Sequence, residues 1–329
     1  MMYVYAGIDE AGYGPMFGPL LVGRFVLTVE NLDPWSQAPD LWEHLRAAVC
    51  REPGKSRGRV AVNDSKKLYS RATGLKRLEE GTLAFAGLGG LEPASVDGWL
   101  DGIGETRHRD DLASMPWYAP SDEHPWQPLP SACTEGQIAV ARSMLKTAAK
   151  AARVSVADLG AAVVFEDHFN EMVSRTRSKA AANFTFVGKH LEAIWQRFGD
   201  HHPTVVVDRQ SGRRNYRELL SFMFPSAAMT IKDETETSSV YRIDGGKRCM
   251  TVHFEVEAEQ RHMPVALASM LAKYTRELLM ARFQDWFRSR APDIKPTAGY
   301  ALDAKRFWHQ IEPMLGELAI KPDSLKRRR

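Results

Sequence analysis

Gly7-Ile8-Asp9-Glu10-Ala11-Gly12-Tyr13-Gly14-Pro15-Met16-Phe17-Gly18-Pro19 is the stretch around which the chain is organised. An apolar run over residues 3–8 reads as a β-strand, and it runs into two adjacent carboxylates followed by three glycines and two prolines. Side chains alternate along a strand, so Asp9 and Glu10 share a direction only if the backbone turns between them. The glycines permit positive φ and close approach of another backbone, which suits a loop that hugs a ligand.

Outward from this stretch, strands and helices alternate, which indicates an α/β fold. Residues 20–29 are rich in Leu, Val and Phe and predict a second strand paired with the first. A helix is expected over 41–50 and a basic loop over 51–59; Asp64 or Ser65 then caps a helix that carries Lys66 and Lys67. Residues 87–132 hold Gly89-Gly90, five prolines from Pro116 to Pro130, and Trp99, Trp117 and Trp126. That is too aromatic for a linker, so a packed inserted subdomain is expected there.

A helix follows over 135–152, then a strand over 161–165 ending in a polar cluster, Glu166-Asp167-His168, then a helix over 186–198. Pro203-Thr204-Val205-Val206-Val207-Asp208 predicts a strand buried on both faces, with Asp208 at its carboxyl end, where open α/β sheets place ligand-binding groups. A helix ends near Pro225, and segments 238–243 and 247–256 flank Asp244-Gly245-Gly246 as a hairpin. Glu255, Glu257 and Glu259 are expected to alternate on one side of the outgoing strand. Helices over 264–288 and 303–311 flank a turn at 296–300, and 316–329 is a basic tail expected to fray at the surface.

The 329 residues are 44% hydrophobic and 26% charged, an ordinary composition for a globular chain with a sizeable core. Net charge is only +3, so any nucleic-acid footprint must be local. No run approaches the length of a membrane span, and a cytoplasmic location is the expectation. The three cysteines, Cys50, Cys133 and Cys249, are far apart and read as plain thiols.

Asp9, Glu10 and Asp208 all end apolar strand-like runs. Clustered carboxylates repel one another unless a cation sits between them, and hard oxygen donors favour Mg²⁺ or Mn²⁺. Two such ions would suit hydrolysis of a phosphodiester by in-line displacement. Basic residues nearby, Lys66, Lys67, those from Arg209 to Arg217, Lys273 and Arg276, could neutralise a nucleic-acid backbone.

Four motifs taken together resemble the type 2 ribonuclease H family, ribonucleases HII and HIII. They are Asp9-Glu10-Ala11-Gly12-Tyr13-Gly14-Pro15 with Phe17-Gly18-Pro19; Asp64-Ser65-Lys66-Lys67-Leu68; Ala268-Ser269-Met270-Leu271-Ala272-Lys273 with Thr275-Arg276; and Gly299-Tyr300. The resemblance implies a ribonuclease H-like mixed sheet flanked by helices, formed by residues 1–86 and 133–315. It also implies two divalent ions, Mg²⁺ or Mn²⁺, held by four carboxylates. The implied activity is endonucleolytic cleavage of RNA in RNA/DNA hybrids, or at ribonucleotides embedded in DNA duplexes, leaving 3′-hydroxyl and 5′-phosphate.

Carried over by motif, the resemblance places the acids at Asp9, Glu10 and Asp208. The fourth lies fourteen residues before Lys273, at Glu259, with Glu257 as the competing neighbour. Substrate contacts would fall on Gly12, Tyr13, Gly14, Ser65, Lys66, Lys273 and Tyr300. Family HII members usually carry arginine where this chain has Tyr13, which opens the choice between single-ribonucleotide and continuous-hybrid substrates. Two other readings remain: a DNA nuclease on the same fold, and a catalytically silent nucleic-acid-binding module.

Overall fold

The computed structural model describes residues 1–52, 58–69, 74–104, 112, 114–209 and 212–328. Part of the expected 51–59 loop, part of the 87–132 insertion, two residues after Arg209 and Arg329 lie outside the described residues.

A seven-stranded mixed sheet forms the centre, in the order β5-β2-β1-β6-β9-β8-β7. Strands β1 (Met2–Ala11), β6 (Thr204–Asp208) and β9 (Cys249–Glu255) run parallel at its middle. β2 (Leu20–Glu30) and β5 (Val154–Val164) extend one side antiparallel; β8 (Ser238–Asp244) and β7 (Ala228–Glu234) extend the other. The run of Val205, Val206 and Val207 lies in the middle of the sheet with both faces covered, as β-branched residues in a parallel strand require.

One face carries the long helix α9 (Met263–Arg290), with α3 (Lys76–Leu88), α4 (Val96–Ile103) and α5 (Glu135–Ala152) beyond it. The other face carries α7 (Lys179–Phe198) and α8 (Arg217–Met223). Alternating side chains of β1 feed the two layers: Tyr3 and Tyr5 pack toward α9, while Val4, Ala6 and Ile8 pack toward α7. Helix α9 approaches β1 so closely that a Cβ on Gly7 would come within 2.1 Å of the Pro264 carbonyl carbon. Only glycine permits that approach, and it brings the Ser269 turn of α9 over the end of β1.

Residues from the 87–132 segment, including Trp99, Trp117 and Tyr118, belong to the same apolar layer as α9. The buried Glu79 carboxylate of α3 ties this layer together: it accepts from the backbone N–H groups of Ser131, Ala132 and Cys133 and from the Tyr274 hydroxyl. The cysteines are free thiols. No helix among the described residues is long and apolar enough to cross a membrane.

Several local expectations are corrected. The helix expected over 41–50 stops after one turn, α1 (Leu41–His44), because Val49–Cys50 leaves it to pair as β3 with β4 (Val60–Ala61). Strand β1 continues through Asp9 and Glu10 to Ala11, so no turn separates the two acids. Glu166, Asp167 and His168 form the first turn of α6 (Glu166–Thr176) and not a strand end. Strand β9 ends at Glu255, and Glu257 takes a left-handed conformation, φ 53°, so the expected alternation of glutamates is broken. Strand β7 gave no alternating signal because almost all of its residues are exposed.

Candidate active site

The site is built at the carboxyl end of the parallel strands. Ile8 pairs with Val207, so Asp9 and Asp208 emerge side by side from neighbouring strands. Asp9 is buried on the α9 side, where it lies against Ser269, and the Glu10 N–H donates to its Oδ1 at 2.7 Å. Glu10 emerges on the opposite face, beside Asn183 of α7. Asn183 is fully buried, and its side chain holds the Glu10 carboxyl down against the effect of burial.

Beyond β9 the left-handed Glu257 starts a short 3-10 turn, Ala258–Gln260, which turns Glu259 inward and leaves Glu257 exposed. The Ala258 N–H donates to Asp208 Oδ1 at 3.1 Å and joins this turn to the end of β6. Glu259 is 8% exposed, and its Oε2 has no hydrogen-bond partner.

These carboxylates are poorly matched to one another as anions. Burial, followed by the charges of Asp208 and Glu10, holds Asp9 well above the usual carboxylate range. Burial and then Asp208 push Glu10 up to about 7. Burial and then Glu259 push Asp208 up to about 7. The protons therefore belong to the group as a whole, and a cation would relieve the repulsion. Two observations favour an oxygen-bound divalent ion: the donors are carboxylates alone, and one buried carboxylate oxygen is unpartnered. Among the described residues no three side chains converge tightly enough to hold an ion as they stand.

Ser65 and Lys66 reach the site on the one-turn helix α2 (Ser65–Leu68), whose Asp64 side chain accepts from the Lys66 N–H at 2.9 Å. Ser269 Oγ donates to Ser65 Oγ at 3.0 Å, and Ser65 is buried. Partial burial alone would lower the Lys66 pKa, but Asp64, Asp9, Glu259 and Asp208 together raise it. Lys66 thus faces the acids while its residue remains exposed.

Lys273 is engaged by its own helix and by an aromatic ring. Its Nζ donates to Glu277 Oε1 at 2.5 Å and lies 4.7 Å from the centre of the Tyr69 ring.

The glycine loop lies beside the acids. Gly12 has φ 84°, and a Cβ there would come within 2.5 Å of Arg276 Nε. Tyr13 is half-buried and Gly14 exposed. Tyr300 is 45% exposed, and its ring is the nearest group to the position a Gly14 Cβ would take, 4.0 Å away. The Met16 N–H donates to Gly299 O at 2.7 Å, which couples the loop to the Tyr300 turn.

Two basic residues read from sequence as phosphate partners are structural instead. Arg276 is 1% exposed and donates to Phe17 O at 3.0 Å. Arg209 donates to Arg213 O at 2.8 Å and to Ser239 Oγ at 3.1 Å. Sequence reasoning also missed Asn183, Ser269 and Glu166 as partners of the site. Glu166 is fully buried and accepts from the Gly18 N–H at 2.9 Å and the Tyr118 hydroxyl at 2.8 Å. Burial pushes its carboxyl up to about 7. Ser269 lies within the Ala268–Lys273 motif and Glu166 within the polar cluster after the 161–165 strand, but neither carries a site role in the sequence alone.

No family model matches the sequence. No curated protein matches it either. Among solved structures, the chain is similar over nearly its whole length to ribonucleases HII and HIII. The Archaeoglobus fulgidus RNase HII, solved in complex with PCNA, is 16% identical with a TM-score of 0.43, covering 99% of this chain and 94% of that one. The Pyrococcus horikoshii ribonuclease H2 is 16% identical with a TM-score of 0.42, covering 98% and 92%. Bst-RNase HIII in complex with Mn²⁺ is 14% identical with a TM-score of 0.42, covering 99% and 66%.

Proposed function

We propose that this chain is a metal-dependent ribonuclease H of type 2, cleaving the RNA strand of RNA/DNA hybrids or at ribonucleotides embedded in a DNA duplex. The observation that supports the reading is the mutual influence of carboxylates from segments far apart in sequence, with Asp208 raising Asp9 and Glu10 and being raised by Glu259. The order of the four motifs that resemble the family supports the same reading.

In this proposal Asp9, Glu10, Asp208 and Glu259 hold Mg²⁺ or Mn²⁺. When bound, two such ions would supply the positive charge that makes a water more acidic and offsets the charge of the phosphodiester. The chain's own groups do the rest. Lys66, raised by the acids beside it, stays cationic and can hold a phosphate at the edge of the site. Gly12, Tyr13 and Gly14 present backbone close to the strand, where N–H and C=O groups can read a 2′-hydroxyl. Tyr300 offers an exposed ring for stacking on a sugar or base. Lys273 acts indirectly, by pairing with Glu277, which also lies 3.6 Å from the Arg276 guanidinium that supports the loop.

Three labelled duplexes, incubated with Mg²⁺ and separately with Mn²⁺, test this: all-DNA, one embedded ribonucleotide, and a continuous RNA strand. The proposal expects cleavage of at least one RNA-containing duplex, with 3′-hydroxyl and 5′-phosphate ends. Cutting of all-DNA substrate would replace it with a DNA nuclease, and binding without any cutting would replace it with a silent module.

A further inference from the structure

Residues after α11 (Pro322–Leu325) do not fray, contrary to the sequence expectation for a basic tail. Arg327 is 2% exposed. Its Nη2 donates to Gly12 O at 2.5 Å and to Pro15 O at 2.6 Å, and its backbone N–H donates to Met16 O at 2.9 Å. The guanidinium lies 4.8 Å from the centre of the Phe169 ring; burial and then the Arg276 charge lower its pKa to about 10, against the opposing pull of Glu166, so it stays cationic at neutral pH.

Asn170 of α6 fastens the segment. Its Nδ2 donates to Asp323 O at 2.8 Å and Lys326 O at 2.9 Å, and its Oδ1 accepts from the Arg328 N–H at 2.6 Å.

The carbonyls of Gly12, Pro15, Met16 and Phe17 are therefore all turned inward, onto Arg327 or Arg276. A peptide unit is planar and trans, so fixing the Gly12 carbonyl on Arg327 aims the Tyr13 N–H the opposite way. Nη2 carries both the Gly12 and the Pro15 contacts, while Nε and Nη1 are buried without a partner, so a flip of that unit would take from the buried guanidinium one of its two carbonyl acceptors.

We propose that Arg327 is a positioning residue that holds the 12–18 loop in its substrate-reading conformation, so that residues 322–328 belong to the substrate-binding apparatus. This rests on the proposed role of the loop in reading the nucleic acid. The segment is remote in sequence from every motif that carries the chemistry, and it touches the loop from its buried side.

The test uses the full chain with Arg327→Gln, Arg327→Lys and Asn170→Ala, read by hydrogen exchange and by steady-state cleavage of the continuous hybrid. For Arg327→Gln, exchange over 12–18 should quicken about tenfold or more while 2–8 and 264–283 keep their protection. KM should rise about fivefold or more with kcat within about twofold of wild type, the split expected when binding alone is weakened. Arg327→Lys should fall between, since an ammonium keeps the charge and enough donors for both carbonyls but sits on a flexible stem without the fixed plane of the guanidinium. Asn170→Ala should shift exchange and KM the same way by less, and it decides the matter if Arg327→Gln does not fold.

Unchanged exchange over 12–18, or exchange that rises equally across the chain, overturns the proposal. Should the wild-type chain cleave nothing, the functional reading fails by itself, and the exchange pattern still decides whether Arg327 holds the loop.

Discussion

Asp9 and Glu10 are consecutive residues of one extended strand, and they leave it on opposite faces, Asp9 beside Ser269 and Glu10 beside Asn183. Both nonetheless feel the charge of Asp208 on the neighbouring strand. The site therefore straddles the end of the sheet, and helices on both faces are needed to complete it.

Asp208 is the member whose carboxyl feels Glu259 directly. Asp208→Asn should lower kcat/KM by more than about 100-fold, the upper end of what losing an outer-shell partner costs a metal site. The melting temperature of the metal-free protein should stay level or rise, because one repelling charge is gone. Retained cleavage by this variant would remove Asp208 from the site.

The raised carboxyls set a pH dependence. Burial and neighbouring charges push Glu10 and Asp208 up to about 7 in the folded chain, against ordinary values of 4.5 and 3.8. Between those limits the folded state binds protons that the unfolded state has released, so stability falls as pH rises through the window. In EDTA the melting temperature should be lower at pH 8 than at pH 5. Glu166, also near 7, contributes to the same fall. Mg²⁺ or Mn²⁺ at pH 8 should recover stability in wild type and less in Asp208→Asn; equal recovery in both would show that the ion binds elsewhere.

Lys66 is exposed yet electrostatically tied to Asp9, Asp208 and Glu259. Lys66→Met should weaken hybrid binding with little regard to sequence and reduce the slope of log Kd against log salt by about 1. An unchanged slope would mean that Lys66 meets no phosphate.

Gly12 and Gly14 should respond differently to alanine. At Gly12 the backbone has φ 84° and a Cβ would crowd Arg276 and Pro19, so Gly12→Ala should cost about 1–2 kcal/mol in a thermal or denaturant melt. At Gly14 the nearest atom is Tyr300 Cε1 at 4.0 Å, so Gly14→Ala should fold normally. Any activity lost by Gly14→Ala then reports crowding of the substrate; a comparable loss of stability in both variants would contradict the loop conformation described.

Much of this architecture is local information. The apolar run over residues 3–8, the β-branched run before Asp208 and the Asp-Gly-Gly hairpin each specify backbone conformation within a few residues, so strands β1, β6, β8 and β9 were legible. The placement of Asp9 and Glu10 near the end of β1, and of Asp208 at the end of β6, was legible for the same reason. Glu259 came only from the motif resemblance, because the left-handed Glu257 that turns it inward has no local signal in a run of alternating glutamates.

What the sequence determined by itself is the set of strand ends and the acids they carry, because strand periodicity and turn chemistry act between near neighbours. What only the tertiary structure decided is the fate of the basic and acidic residues around them. Arg276, Arg209 and Arg327 look alike as solvated cations in one dimension, yet each is buried against carbonyls supplied by distant segments. Glu166 likewise became a buried acceptor for the glycine loop. A charged side chain enters the interior only where long-range packing offers it partners, and those partners exist only once the sheet and its helices have assembled.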